Sequence, residues 1–467
     1  MSFSGRSREL GHLRALLDGR EASLVTVTGL RGVGKSALVE RAVTSFTPVL
    51  FRAPPLPEPE QRRRLALVLA AARAERGLPA YAPSSAPEWS EIFSAVLALA
   101  DPDRPPLVLV MDDAERLTES RARYLEPLLA TLRAARAQGR PLHAVLVGGG
   151  GGVPEESGLG VLSGGEVRLS PLPFRAARAL LPGSEPTDLL RAYGLLGGIP
   201  AVLRAVDPSV TLETNIRRLM LDAGARLADA GGRWLERDLQ APARYYAILQ
   251  ALAAGEAAWG PVHAGVADLT ASGQVAPYLR RLEQLGLIEV RSSLDAGPRS
   301  RSRRYRIADP FLASWFRFVL PRTWGQGPAD AGEYLATVVR PAFDAHMARV
   351  FPELCRQYVS YDAADLLGTN ARDAGSLWGP GYEIPVAGML ASGAAYYGVC
   401  SWSPFQRSDE PLGTLDAEIR ETRYGFGRER RLRLLFTGRA APQWLQREVA
   451  RREDAALIDA RALVEVG

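Results

Sequence analysis

The chain has 467 residues, of which 47% are hydrophobic and 23% charged, with a net charge of +5. This length predicts about two to four ordinary globular domains, the mild charge is no argument for nucleic acid, and two cysteines exclude a disulfide framework. No apolar run reaches the ~18 residues that span a bilayer and residues 1–8 lack a signal-peptide pattern, so we expect a cytoplasmic protein without membrane contact.

The first predicted elements surround a glycine-rich loop. A helix over residues 9–17 precedes a buried strand over residues 23–28, and another helix covers residues 37–43. Between that strand and helix stands the run Gly29-Leu30-Arg31-Gly32-Val33-Gly34-Lys35-Ser36. Strand, glycine loop and helix in this order are the setting in which backbone amides and a helix N-terminus bind phosphate.

Two further apolar runs predict strands of the same sheet. Residues 107–111 end in Asp112-Asp113, and residues 143–147 run into glycines 148–152. Buried strands that alternate with helices form a parallel sheet covered on both faces. The fold class is therefore predicted to be α/β, with a P-loop NTPase sheet.

The rest of the chain changes character twice. Residues 174–240 are helical in pattern, with a break at Gly197-Gly198-Ile199-Pro200. Residues 243–307 predict three helices (243–254, 261–268 and 274–285) and a two-stranded ribbon (287–291 and 303–307). This order is typical of a winged helix. From about residue 329 helices and strands are mixed.

The glycine loop predicts a site for ATP, or another nucleoside triphosphate, with Mg²⁺. Triphosphate oxygens need many donors in a concave loop, and the amides of a glycine-rich turn supply them. Lys35 would reach the β- and γ-phosphates, and the Ser36 hydroxyl would ligate Mg²⁺. The predicted nucleotide-binding residues of the loop are Gly29, Leu30, Arg31, Gly32, Val33, Gly34, Lys35, Ser36 and Ala37.

Lys35 is the only lysine among 57 basic residues. In a chain that uses arginine everywhere else, the single lysine stands where a compact ammonium is needed. A planar guanidinium is no replacement for a point charge inside a tight loop. This placement strengthens the prediction of a phosphate site.

Asp112 is the predicted second ligand of the metal, and Asp113 is the predicted water-activating carboxylate. General-base help of this kind typically contributes ~10² to 10⁴ in rate. Asp113 is one methylene shorter than the glutamate common at this place, so slow hydrolysis is an alternative. The other alternative is that both acids are merely solvated at the end of the strand.

These residues resemble the archaeal-type ATPases of the STAND group (signal-transduction ATPases with numerous domains), which are related to AAA+ proteins. The resemblance covers nearly the whole chain and depends on the order of its motifs. It implies that Phe3, Gly5 and Arg6 lie against the adenine and that Pro200 packs by the nucleotide. Besides the loop and the acids, the motifs are Phe3-x-Gly5-Arg6-x-x-Glu9-Leu10, Leu169 to Phe174, Tyr193-x-x-x-Gly197-Gly198-Ile199-Pro200, Asp309-Pro310-Phe311-Leu312 and Trp315 to Phe318.

Two departures from the family concern hydrolysis rather than binding. The family usually carries a polar residue after the third strand, where it senses the γ-phosphate, and only Gly148 to Gly152 follow here. A Gly-Arg pair expected shortly before Leu169 appears as Gly164-Gly165.

The C-terminal portion resembles a restriction-endonuclease-like domain, which cuts phosphodiesters with a metal held by an aspartate and a Glu-x-Lys strand. Pro385 stands in place of the aspartate, and Val399 and Ser401 in place of the glutamate and lysine. We therefore expect a nuclease-like fold without nuclease activity. An unorthodox site built on Glu383 is the alternative. The expected domains are an ATPase domain (1–175), an AAA+-like helical lid (176–240), a winged helix (241–325) and the degenerate nuclease-like domain (326–467).

The densest basic cluster lies in the predicted ribbon. Arginines there and on the third helix would follow a DNA backbone and give salt-dependent affinity that is mostly independent of base sequence. A solvated loop and a protein-docking surface are the alternatives. The candidate DNA contacts are Arg280, Arg281, Arg299, Arg301, Arg303 and Arg304.

The sequence thus predicts an ATPase that acts as a switch or motor, in which the nucleotide state changes how lid and winged helix sit against the ATPase core. Its output would be binding of double-stranded DNA or of a protein partner, and an oligomer is compatible with either. A nucleotide-loaded scaffold with little hydrolysis is the second hypothesis, and a DNA-processing nuclease the third.

Overall fold

The computed structural model describes residues 5–149, 160–239, 242–266, 272–297, 300 and 302–465. Its contacts divide the chain into two units, Met1–Ser170 with Gln284–Gly286, and Pro171–Glu283 with Leu287–Gly467. Within these described ranges, no helix is both long enough and apolar enough to cross a bilayer.

The first unit is built on a five-stranded sheet in which every neighbouring pair of strands is parallel. Its strands are β1 (Ser23–Gly29), β2 (Thr47–Arg52), β3 (Leu107–Asp112), β4 (Leu142–Gly148) and β5 (Ser163–Leu169). The order across the sheet is β2-β3-β4-β1-β5, so the three apolar runs form its centre. Strand β4 separates the glycine-loop strand from the strand that ends in the acids. The α/β fold class is confirmed.

The two edge strands, β2 and β5, carry no continuous apolar run. Their residues alternate between buried and exposed. Pro48 lacks an amide hydrogen, which suits an edge strand, and β5 contains Gly164 and Gly165. These features explain why neither strand is predicted from hydrophobicity.

Five helices cover the sheet of the first unit: α1 (Ser7–Leu17), α2 (Lys35–Ala42), α3 (Glu58–Glu75), α4 (Trp89–Leu97) and α5 (Arg121–Ala137). The core between α3, α4, α5 and the sheet contains three aromatic rings in contact. The Trp89 ring stacks on Phe93 with 5.6 Å between the ring centroids, and its centroid lies 5.9 Å from that of Tyr124. This packing fixes the strands and leaves the loops after them to form a site at their carboxyl ends.

The second unit begins with short helices. They are α6 (Phe174–Ala177), α7 (Pro186–Leu196), α8 (Pro200–Leu203), α9 (Leu212–Ile216) and α10 (Ala230–Asp238). Residues 243–307 follow as α11 (Ala243–Ala253), α12 (Trp259–Ala264), α13 (Ala276–Gln284) and a three-stranded antiparallel sheet of β6 (Ala257–Ala258), β7 (Ile288–Ser292) and β8 (Arg303–Ile307) in the order β6-β8-β7.

A mixed sheet forms the C-terminal part of the second unit, in the order β13-β12-β11-β10-β9. Its strands are β9 (Gly375–Gly379), β10 (Tyr382–Met389), β11 (Ala395–Ser401), β12 (Arg431–Thr437) and β13 (Ala455–Ile458). Strands β9, β10 and β11 are antiparallel to one another, and β11, β12 and β13 are parallel. The helices of this half are α14 (Pro310–Ser314), α15 (Leu320–Thr323), α16 (Ala331–Tyr334), α17 (Phe343–Tyr361), α18 (Ala364–Leu367), α19 (Pro411–Glu421), α20 (Gln443–Val449) and α21 (Ala460–Val464).

Two of the motifs, represented by Gly198 and Asp309, are 111 residues apart in the chain and meet inside the second unit. The buried Asp309 caps α14 by accepting from the Phe311 amide and also accepts from the Gly198 amide, each at 2.9 Å. Burial raises the pKa of Asp309 to about 7. Gly197 has φ +63°, and a Cβ there would overlap the Asp309 carboxylate. Gly197 of the motif is therefore explained by this close approach.

Candidate nucleotide-binding site

The glycine loop leaves β1 at Gly29 and enters α2 at Lys35. Gly29, Gly32 and Gly34 have φ values of +141°, +79° and +101°, which L side chains rarely adopt. A Cβ on Gly29 would also overlap the carbonyl oxygen of Leu169, whereas one on Gly34 would meet nothing within 4 Å. The loop therefore packs tightly on its sheet side and has open space beside Gly34.

Lys35 folds back over the loop. Its Nζ donates to the carbonyl oxygens of Gly29, at 2.9 Å, and Leu30, at 3.1 Å. The ammonium is thus held at the loop, on the side from which a phosphate would be bound. Ser36 follows it in the first turn of α2, where unsatisfied helix amides favour an anion. These donors fit a polyphosphate.

Arg6 fastens the N-terminal segment to this loop. Its guanidinium donates to the carbonyl oxygens of Val33 (3.4 Å) and Ser170 and to Glu9 (2.8 Å). The side chain is 93% buried, so the predicted adenine-side residue stabilises the loop's backbone. Gly5 is exposed beside it, and Phe3 lies outside the described residues.

Asp112 ends β3 with both carboxylate oxygens occupied. Oδ1 accepts from the Asp113 amide at 2.9 Å, and Oδ2 accepts from Nε and Nη2 of Arg52 at 3.0 and 2.9 Å. The hydrogen bond to Asp112 raises the pKa of Arg52. A carboxylate has about four lone-pair sites, and its oxygens together with the Ser36 hydroxyl are the hard ligands that Mg²⁺ prefers. The residues present fit the metal.

Asp113 sits in a turn after the strand. Its φ is +55°, uncommon outside glycine, and its Oδ2 lies 3.3 Å from Nη1 of Arg116. That same nitrogen donates to the Ala53 carbonyl at 2.8 Å. The predicted water-activating carboxylate is thus oriented toward a cation fixed by the loop after β2.

Arg52 is a site residue that the sequence does not indicate. It ends β2, and β2 pairs with β3 so that Arg52 is opposite Asp112. Strand β2 is not predicted from the sequence, and arginine is the most common charged residue in the chain. No local pattern distinguishes this position.

The remaining predicted site residues lie in the second unit. Pro200 is the first residue of α8. Arg280 and Arg303 are exposed and Arg281 is half-buried, whereas Arg299 and Arg301 lie outside the described residues. Arg304 donates to Glu383 at 2.6 Å and stacks over the Trp378 ring at 4.6 Å.

The nuclease-like positions fall on neighbouring strands. Pro385 lies on β10, and Val399 and Ser401 lie on β11, which pairs with it. The Pro385 carbonyl accepts from Arg356 and from Ser376, and Ser401 donates to the Ser403 carbonyl at 2.6 Å. These three residues thus lie on two paired strands and carry side chains that are neither acidic nor basic.

Known families match two parts of the chain. Residues 2–146 match the family described as AAA ATPase domain, and residues 315–411 match one described as archaea bacterial proteins of unknown function. An uncharacterized protein of Methanocaldococcus jannaschii is 23% identical over 232 residues, which are 48% of this chain and 50% of that protein. The chain therefore spans about half the length of this curated relative.

Solved structures of ATPases are also similar. The Walker-type ATPase of Pyrococcus abyssi is 21% identical, with 67% of this chain and 95% of that chain covered and a TM-score of 0.48. The ORC2 protein of Aeropyrum pernix is 16% identical, with 69% and 95% covered and a TM-score of 0.39. A STAND protein with a tetratricopeptide repeat sensor from Pyrococcus horikoshii is 14% identical, with 77% and 50% covered and a TM-score of 0.29.

The glycine loop and the acid strand fall within the first family match, which ends inside β4. The match of residues 2–146 to the AAA ATPase domain agrees with the resemblance seen in the motifs of that part of the chain.

Proposed function

We propose that the protein is an ATP-dependent switch, which binds and hydrolyses ATP and couples its nucleotide state to the binding of DNA or a protein partner. One observation carries the nucleotide part: the only lysine of the chain places its ammonium 2.9 and 3.1 Å from two carbonyl oxygens of a glycine loop at the end of β1. The match of residues 2–146 to an AAA ATPase domain supports it.

The proposed roles follow from the chemistry of each group. The loop amides and Lys35 hold the phosphates, and Ser36 with Asp112 would hold Mg²⁺, which neutralises phosphate charge when bound. Asp113 remains the acid that the sequence proposes for activation of water. Pro200, Gly5 and Phe3 remain proposed neighbours of the base and sugar.

The proposed output is located in the second unit, on the winged helix that we assign to residues 241–325. Its three helices and antiparallel strands support this assignment. Arg280 and Arg303 are exposed there and available to phosphates. A protein partner would use the same surface if DNA does not.

Calorimetry with Mg-ATP on the full chain tests nucleotide binding. Lys35→Ala should weaken binding at least about tenfold, because a charge-assisted hydrogen bond contributes ~1.5–3 kcal/mol. Arg41→Ala, which removes an exposed arginine from the same helix, should leave affinity within about twofold. Equal affinity of the Lys35→Ala protein and the wild type would refute the site.

A nucleotide-loaded scaffold with little hydrolysis is the second candidate. It is favoured by the ion pair of Asp112 with Arg52 and by glycine where the family carries a polar residue after β4. Phosphate release from Mg-ATP, measured with and without DNA, separates the two functions. Multiple turnovers support the switch, and tight binding without turnover supports the scaffold.

A further inference from the structure

Phe426 lies in the middle of the segment between α19 and β12, here the Phe426 loop (residues 422–430). Its side chain is 82% exposed, the largest exposed fraction of any large hydrophobic residue in the described ranges. Exposure of an apolar ring to water costs free energy, but single exposed apolar side chains are common on proteins. What distinguishes Phe426 is how the loop around it is built.

Two consecutive turns hold the ring at the tip of the loop. The Phe426 amide donates to the Arg423 carbonyl at 3.1 Å, and the Arg428 amide donates to the Gly425 carbonyl at 3.2 Å. Gly425 and Gly427 are the third residues of these turns and have φ values of +67° and +77°, which glycine adopts without strain. The ring is therefore displayed between two tight turns.

The base of the loop is anchored on the C-terminal sheet. The Tyr397 hydroxyl on β11 donates to the Tyr424 carbonyl at 2.6 Å, and the Tyr424 hydroxyl donates to Asp373 at 3.2 Å. A Cβ on Gly425 would lie only 2.7 Å from the Cβ of Ala395. The loop is thus fixed against the sheet up to Gly425, and an aromatic ring on a fixed support loses little conformational freedom when it binds a ligand.

The Phe426 loop is also basic. Together with Arg431, the first residue of β12, it contains four arginines and one glutamate. Arg423, Arg428 and Arg430 are exposed, and within the described part of the chain their guanidinium groups form no hydrogen bond or ion pair. Three cations are therefore available to an anionic partner around the exposed ring.

An aromatic ring among unpaired arginines fits the chemistry of single-stranded nucleic acid. An unpaired base has a flat face on which such a ring stacks, and the arginines neutralise the adjacent phosphates. Arg431 lies over the Phe426 ring, with 6.0 Å between its guanidinium carbon and the ring centroid, and the exposure of the ring leaves its other face for a base. The bases of a duplex are already stacked on one another and offer no such face.

A membrane surface fits the loop less well. Phe426 is the only large hydrophobic side chain that is exposed among the described residues of the loop. One ring contributes too little apolar area for stable anchoring, which normally needs a wider apolar face or a second signal. The charge of the loop therefore favours a phosphate backbone with accessible bases.

The loop is also separate from the nuclease-like positions. Arg431 is opposite Ala395, the first residue of β11, whereas Ser401 is the last residue of that strand. Six residues of extended strand span ~20 Å. A ligand on the Phe426 loop would thus bind at the opposite end of β11 from Ser401.

We propose that the Phe426 loop binds single-stranded nucleic acid, with an unpaired base stacked on Phe426 and the neighbouring phosphates bound by Arg423, Arg428 and Arg430. This site goes beyond the proposed function, which assigns double-stranded DNA to the winged helix. Because every base has a π-face, binding should depend little on base sequence and should weaken steeply with salt.

Fluorescence anisotropy of labelled oligo(dT) with the full chain tests the stacking. Phe426→Ala should weaken binding about tenfold, as expected for the loss of one stacked base, and leave binding to a duplex within about twofold. Phe426→Trp should keep the affinity, whereas Phe426→Leu, which is apolar but has no π-face, should bind like the alanine variant. Trp324→Ala removes another exposed aromatic side chain of the same unit, which is 55% exposed, and should match the wild type.

The salt dependence tests the arginines. The double variant Arg428→Ala and Arg430→Ala should reduce the slope of log K against log salt by about 1.4, because each phosphate contact of a single strand contributes ~0.7. An unchanged slope would remove these arginines from the site and overturn the proposal in its present form. Since the replaced side chains are exposed, the urea midpoint of each variant should equal that of the wild type.

The proposal is overturned if the wild type does not bind oligo(dT) at low salt, or if Phe426→Ala binds it like the wild type. It is also overturned if Phe426→Leu binds as well as Phe426→Trp, because the ring would then make a simple apolar contact. Binding of Mg-ATP and of a duplex is measured separately. The proposed function therefore stands or falls independently of these results.

Discussion

At the residue scale, Arg52 binds the carboxylate that is proposed to hold Mg²⁺. Arg52 donates twice to Oδ2 of Asp112, the predicted metal ligand. The arginine side chain is 61% exposed, and ion pairs in such surroundings contribute only ~0–1 kcal/mol. An ion pair this weak can yield to Mg²⁺, which carries twice the charge of the arginine.

Removal of the Arg52 side chain should lower the Mg²⁺ concentration that ATP binding requires. Arg52→Ala is expected to lower the Mg²⁺ concentration for half-maximal ATP binding about two- to fivefold, which corresponds to an exposed ion pair. Titration of Mg²⁺ at fixed ATP, followed by calorimetry or a fluorescent analogue, measures the midpoint. Arg64→Ala is the control, because Arg64 is 56% exposed and paired with Glu60 on α3. A higher midpoint in Arg52→Ala would show that Arg52 assists the metal.

The sequence predicts the glycine loop but does not predict Arg52 as a site residue. Gly29 to Ser36 are contiguous, so their spacing alone specifies the geometry of the loop. Arg52 and Asp112 are brought together only by the pairing of β2 with β3. Residues that meet only through the pairing of two strands leave no local pattern in the sequence. Strand β2 itself has too few apolar residues for it to be predicted.

At the element scale, Asp309 connects the helical segment to the helix that follows the ribbon. It caps α14 and binds the Gly198 amide, and Gly197 makes room for it with a positive φ. Both contacts depend on the buried Asp309 carboxyl, so any side chain at position 197 would disturb both of them. The family's Gly-Gly-x-Pro motif therefore has a packing function in this unit, separate from any contact of Pro200 with nucleotide.

Gly197→Ala should destabilise the protein more than an alanine at another left-handed glycine. Both changes incur the ~1 kcal/mol that alanine costs at positive φ, but at position 197 the methyl group must also displace Asp309, which adds ~1–3 kcal/mol. Gly224→Ala is the control, because its φ is +73° and a Cβ there meets nothing within 4 Å. Urea unfolding followed by tryptophan fluorescence measures the difference. Equal losses in the two variants would contradict the packing role.

The sequence predicts the buried helices and strands better than the short or exposed ones. The central strands β1, β3 and β4 are buried along nearly their whole length, and the sequence locates them within a residue or two. In the second unit, the helices predicted over residues 243–254 and 274–285 correspond to α11 and α13, and the ribbon to β7 and β8. The two-residue strand β6 is missed, because so short a strand is specified only by its pairing with β8.

At the scale of the whole molecule, the ribbon and the C-terminal sheet share one set of contacts within the second unit. The Leu294 amide donates to the Ser376 carbonyl, and the Trp378 amide and indole donate to Ser293 and Ser302, at 2.9–3.0 Å. Tyr382 donates to Asp295 at 2.7 Å. The C-terminal sheet thus holds both ends of the loop between β7 and β8.

These contacts divide the arginines that the sequence groups together. Arg304 is bound to Glu383 and Trp378, and Arg306 is bound to Glu289 at 2.9 Å. Arg303 is exposed on the same strand, as is Arg280 on α13. Some arginines of the basic run are therefore held in ion pairs inside the unit, and others are exposed at its surface. Composition alone cannot distinguish the two kinds.

The exposed Arg280 and Arg303, together with the half-buried Arg281, give the sharpest test of DNA as the output. The combined variant Arg280→Ala, Arg281→Ala and Arg303→Ala should weaken binding to a double-stranded oligonucleotide and flatten the slope of log K against log salt by about 2–3, since each lost phosphate contact removes ~0.9. Fluorescence anisotropy over a series of salt concentrations in Mg-ATP measures both. A matched variant that replaces the exposed Arg420, Arg447 and Arg451 loses the same charge from the C-terminal portion and should keep the wild-type slope. If both variants change the slope equally, attraction is a property of net charge alone, and the switch must act on a protein partner instead.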